Sequence, residues 1–207
     1  MSLRIGMLVL LFAMSTVPVL AAPITFSGTL LGANEEPPNV SPATGFALVT
    51  IDDVAHTLEV DVQFADLVGP TTVAHIHVIN GPGDLDTSDT VGPVATTTPT
   101  FPLFPSGVMS GVYFNVFNTL ADATYRPGFL TDSGGTAAKA EDELFAAIME
   151  GRAYFNIHST FAPGGEIRDF LTPVPAAIPE PTSLLLMGTA LAALSAARRR
   201  RRNRSIR

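Results

Sequence analysis

Cysteine is absent from the 207 residues, histidine occurs only four times, and positive charge is scarce through the middle of the chain. Without cysteine there are no disulfides, so an apolar core has to hold the fold by itself. Between Pro23 and Glu180 the only cations are Arg126, Lys139, Arg152 and Arg168; all 19 carboxylates fall in the same span, giving a net charge of −15. A domain so acidic repels nucleic acid and anionic membrane surfaces and attracts cations. Common catalytic signatures are missing as well: there is no Gly-x-Ser-x-Gly elbow, no phosphate-binding Gly-rich loop and no His-Glu-x-x-His.

The remaining cations lie in two terminal segments. Met1 to Ala22 carries Arg4, an apolar run from Ile5 to Met14, and small residues Val19 and Ala21 spaced for cleavage, the layout of a secretory signal peptide. At the other end, Pro179, Glu180 and Pro181 precede an apolar stretch from Leu184 to Ala197 and five arginines, Arg198 to Arg202. That stretch is shorter than the roughly 20 residues of a full span and makes a marginal transmembrane helix even with its flanks, and the positive-inside bias would hold the arginines on the cytoplasmic side. The chain therefore divides into a signal peptide (1–22), a domain (23–175) and a separate C-terminal segment (176–207). A domain of about 150 residues is large enough to bury roughly two-thirds of its chain surface.

The order of Pro-Glu-Pro, apolar segment and arginine cluster resembles the PEP-CTERM sorting signal. The resemblance implies cleavage near Pro179 to Pro181 by exosortase-type machinery, transient contact of 184–197 with the inner membrane, and release to the cell surface or extracellular matrix.

Within the domain, short alternating runs stand between turn signals, as in an all-β sandwich or barrel. In "LEVDVQFA", Leu58, Val60, Val62 and Phe64 face one way while Glu59, Asp61 and Gln63 face the other. Further strands are expected at Ile24 to Leu30, Gly45 to Ile51, Val73 to Ile79, Gly111 to Phe117, Ala153 to His158 and Glu166 to Leu171. Only Ala137 to Gly151 reads as a helix, with Leu144, Phe145, Ile148 and Met149 at helical spacing and Gly151 as the stop. Gly81 to Ser106, with five prolines, is long for a plain connection and reads as a functional loop or insertion. Its Asp84, Asp86 and Asp89 fall short of a calcium loop, lacking the glycine and the distal Glu, and read as turn residues. "GVYFNVFN" from Gly111 echoes "RAYFNIHS" from Arg152, and chance similarity accounts for it.

Three stretches resemble the CHRD domain. They are "SGTLLGANEEPPNVSPATGFALVTID"; "VAHIHV" followed downstream by Gly92, Pro93 and Val94; and "AYFNIHSTFAPGGEIRDFL". Asn34, Asp169 and Phe170 depart from the family pattern, and 96–140 has no counterpart in it. The resemblance implies an antiparallel β-sandwich of immunoglobulin or superoxide-dismutase type, here with one short helix, and a compartment rather than a reaction.

Strand parity sets the chemistry. With Ala74, Ile76 and Val78 as the apolar set, His75 and His77 project together from the opposite face, and His158 does so on its own strand beside Tyr154 and Asn156. All three are expected on outer, non-core faces. Two imidazoles at i and i+2 with a third from another strand make a site suited to copper or zinc. The further histidines and bridging ligand of a two-metal dismutase centre are lacking. His56 reads as an exposed turn residue, Glu166 with Arg168 as a surface ion pair or strand-end anchor, and Glu35 and Glu36 as structural turn residues. The leading expectation is an exported, non-enzymatic module that binds an extracellular ligand. The alternative is a copper- or zinc-binding protein using His75, His77 and His158.

Overall fold

The alternation in the sequence becomes strands at every expected place. These are β1 (Ile24–Leu31), β2 (Thr44–Asp52), β3 (Thr57–Ala65), β4 (Thr71–Val78), β5 (Gly111–Asn118), β6 (Ala153–Ser159), β7 (Ile167–Phe170) and the short β8 (Thr172–Pro173). A computed structural model describes residues 22–85 and 90–175. The expectations for 1–21, Asp86, Asp89 and 176–207 lie outside the described residues.

All pairings are antiparallel, in the order β4-β6-β7-β1-β2-β3-β5, with β8 beside β1. The sheet curls so that Phe26 and Leu30 of β1, Val60 and Val62 of β3, Ile76 of β4 and Phe155 of β6 share one buried cluster. The fold is thus an all-β, sandwich-like domain.

Among the described residues, the expected helix and a further six-residue helix cover part of this core. The addition is α1 (Pro127–Asp132), which starts at a proline whose missing N–H is no loss in the first helical turn. The expected helix is α2 (Ala137–Met149), capped by the Thr136 hydroxyl accepting from the Lys139 amide. It buries Leu144, Phe145 and Ile148, whereas Met149 faces solvent. Gly151, at φ +72, supplies the left-handed turn that ends the segment.

The Tyr-Phe-Asn echo falls on opposite faces. Tyr113 points into the core and Phe114 outward on β5, while on β6 it is Phe155 that enters the core cluster. A shared ancestry of the two strands would have kept the parity, so the similarity carries no duplicated site.

Part of the proline-rich loop turns out to be an edge cover. Residues 93–101 run beside β4, the terminal strand of the sheet order. The Val78 amide donates to the Pro93 carbonyl at 3.1 Å, and the Ala95 and Phe101 amides donate to the carbonyls of Ile76 and Ala74. Proline has no amide to offer a ladder. The side-chain hydroxyls of Thr96 and Thr100 accept from the Ile76 and Ala74 amides instead. Phe101 then anchors the segment in the core, its ring 5.8 Å from that of Phe155 and 5.2 Å from that of Phe117.

Candidate metal centre

His75 and His77 leave β4 on the face opposite Ala74, Ile76 and Val78, as parity requires. That face is not exposed: His75, His77 and His158 are 5%, 8% and 8% accessible. The expectation of an outer, non-core face therefore holds for non-core and is corrected for outer. Parity was right about the face, but the edge segment and the turn after β6 lie over it.

Those covers also fix the rings. Nε2 of His75 donates to the Pro99 carbonyl at 2.6 Å, Nδ1 of His77 to the Gly92 carbonyl at 2.9 Å, and Nδ1 of His158 to the Pro163 carbonyl at 2.9 Å. A carbonyl only accepts, so each bonded nitrogen carries the proton and the other keeps a lone pair. The nitrogens left with lone pairs, Nδ1 of His75 and Nε2 of His77 and His158, have no partner among the described residues.

One ring nitrogen from each histidine lies within 4.8 Å of the other two. The ring centroids form a near-regular triangle of 5.7, 5.4 and 5.8 Å. An ion about 2.0–2.1 Å from each nitrogen requires the rings to draw together by less than about 1 Å each. Burial pushes His75 down to about 4 and His77 to about 3, and lowers His158 as well. The three are neutral, metal-ready ligands at pH 7. The outer carbonyls orient the rings as second partners do in metal sites, so the donor set fits copper or zinc.

More of this face is polar and buried. Tyr154 stacks on His77 at 4.8 Å and 9°, and the Arg168 guanidinium lies 4.8 Å from the Tyr154 ring centre. Arg168 donates to the carbonyls of Asn34 and Thr90, and its Nε lies 3.7 Å from the Glu35 carboxylate. Burial pushes Glu35 up to about 7 against the pull of Arg168. Two further buried atoms here lack a partner among the described residues, Glu35 Oε1 and Asn156 Oδ1. Each such group costs about 1–3 kcal/mol when left alone. With the three histidine nitrogens, five such atoms lie in this buried polar layer.

Glu166 and Arg168, expected as a surface ion pair or a strand-end anchor, are both buried, so the surface pair is corrected and the anchor stands, each residue serving separately. Glu166 accepts from the Ser41 hydroxyl, the Val68 amide and the Ser159 hydroxyl, tying three segments to the start of β7. Arg168 pairs with Glu35, which the sequence had marked only as a turn residue. Parity does place Asn156 beside His158, yet an amide attracts no attention without its buried setting. His56 is half exposed, as expected, and its Nδ1 lies 3.0 Å from Glu141. Asp84 accepts from the Asn80 amide, a turn bond.

Residues 26–171 match the CHRD domain, well over half of the chain and all of the site described above. The chain belongs to the CHRD domain family. In this CHRD protein the Tyr-x-Asn-x-His stretch of β6 places Tyr154, Asn156 and His158 on the site face, so the motif and the buried polar layer coincide. Residues 177–202 match the PEP-CTERM protein-sorting motif, which takes in Pro179, Glu180 and Pro181. The motif marks the CHRD protein for export and for exosortase-type sorting machinery. No curated protein and no solved structure matches the chain. Among the described residues no helix is long and apolar enough to cross a membrane; the apolar stretch 184–197 lies outside them.

Proposed function

We propose that this CHRD protein is an exported transition-metal binder, acting by binding rather than turnover, that holds copper or zinc through His75, His77 and His158. The observation that supports it is the clustering of three buried histidines, one ring nitrogen of each within 4.8 Å of the others, every ring tied to a carbonyl through one nitrogen and keeping a lone pair on the other. Imidazole donors favour copper over zinc by the usual affinity order. The strong net negative charge of the domain gathers cations near the surface, while the neutral donors select among them. Calorimetric titration of the purified protein is expected to give one site per chain. Alanine at both His75 and His77 should weaken it by more than about 100-fold, beyond the loss of an outer partner. Binding no tighter than about 1 mM, or binding unchanged in that variant, contradicts the reading.

A second reading concerns the role after C-terminal processing, at the cell surface or in the extracellular matrix. β5 ends the sheet order, and its outward side chains Val112, Phe114 and Val116 are 75%, 62% and 46% exposed. An apolar stripe on a terminal strand suits adhesion to another protein. Phe114→Asp is expected to shift the protein from the matrix fraction to the free medium with an unchanged melting temperature. Wild-type partitioning of that variant would remove the support.

A further inference from the structure

Asn156 stands directly opposite His75 in the β4–β6 ladder and opposite Arg168 in the β6–β7 ladder. Directly opposed residues share a face, so its amide belongs to the same buried layer as the histidines. His158 follows two residues later on that face. Asn156 is 2% accessible, and its Oδ1 has no partner among the described residues. Glu35 arrives from the turn after β1 with its Oε1 in the same condition.

Gly165 shows how close these two groups come. A Cβ placed there would lie 2.7 Å from Asn156 Oδ1 and 2.7 Å from Glu35 Oε1, and 2.6 Å from Asn156 Nδ2. The two oxygens therefore flank one bare glycine, which itself holds φ +138. Each oxygen is 2.7 Å from that one point, so the two are no more than about 5.4 Å apart, near enough for one small donor to reach both. Two acceptors facing a common space do not satisfy one another when the carboxyl is ionised, and a molecule with two hydrogens to give satisfies both.

We propose that Glu35 and Asn156 form an oxygen-lined subsite beside the three-histidine site, holding a water-sized hydrogen-bond donor against the open side of the bound metal. The inference rests on the metal reading and adds to it. Three protein nitrogens leave a coordination position open, the arrangement of sites that exchange ligands rather than of closed structural ones. Glu35 and Asn156 are positioning residues here, since they touch the small molecule and not the metal.

The test uses the full protein loaded with copper(II) and frozen in D₂O, with pulsed EPR reporting exchangeable deuterons on a copper-bound molecule. A strong deuteron signal is expected in the wild type. Glu35→Gln and Asn156→Leu should each weaken or displace that signal while copper affinity stays within about tenfold. Copper binding without any such signal in the wild type overturns the subsite and leaves the metal reading standing. A signal of wild-type strength in both variants also overturns it, because the metal alone then holds the molecule. Absence of copper binding overturns both readings together. The wild-type spectrum decides the matter against the subsite even where a variant fails to fold.

Discussion

Saturating copper or zinc is expected to raise the melting temperature of the protein by about 8–16 °C. An ion at a thousand times its dissociation constant adds about 4 kcal/mol to the folded state. A domain of this size gains about 2–4 °C per kcal/mol. The unfolded chain competes poorly for the ion, because it offers His75 and His77 as a pair but leaves His158 distant in sequence. Folding brings that third ring within 5.8 Å, centre to centre, of both others. Scanning calorimetry with and without metal reads the shift. His158→Ala isolates the contribution of the fold, since it spares the local pair, and should lose most of the gain. A shift of wild-type size in that variant would show that the ion sits elsewhere.

The route from sequence to site was open in some places and closed in others, for physical reasons. Strand positions were legible because a period of two is local, and "LEVDVQFA" states it within eight residues. The pairing of His75, His77 and His158 on one face followed from the same parity. Their burial did not, because it depends on 93–101 lying along β4. That segment is threaded with prolines and bonds partly through threonine hydroxyls, so it has no period to read. The burial of Arg168 and its pairing with Glu35 were hidden for a related reason. The two residues are far apart in sequence and meet only after β7 docks beside β1 through the Leu31 and Arg168 pairing. Burial of a charge is a property of the assembled layers, and a charged residue in a strand reads as wet until a partner is seen.

The electrostatics of the two scales differ, and the difference is useful. The domain as a whole is strongly acidic, yet no carboxylate belongs to the cluster of convergent donors, which is three neutral rings with Arg168 nearby. Surface charge raises the local concentration of every cation without discrimination. A buried nitrogen set favours transition metals over calcium and magnesium, which demand oxygen. On the proposed metal reading, capture and selection are carried by different residues.

The metal-free protein is expected to lose about 3 kcal/mol of stability or more as pH falls from 6.5 to 4.5. The folded values of His75 and His77 are depressed to about 4 and about 3, and His158 shifts the same way. Their contribution is present above the unfolded value near 6.5 and is lost as pH falls toward the folded values, because the unfolded chain takes up protons that the native site refuses. Glu35 acts oppositely. Raised to about 7, it holds a proton in the native state that the unfolded chain releases above 4.5, so its contribution fades as pH rises through 7. The two protons refused by His75 and His77 against the one held by Glu35 leave a net difference of about one proton in this window, worth about 1.4 kcal/mol per pH unit, and His158 adds in the same direction. Urea midpoints at half-unit steps of pH, with EDTA present, read the slope directly. Alanine at His75 and His77 removes two of the refused protons and should flatten the profile between 4.5 and 6.5. A double variant that keeps the wild-type slope would place the acid sensitivity outside the histidine site.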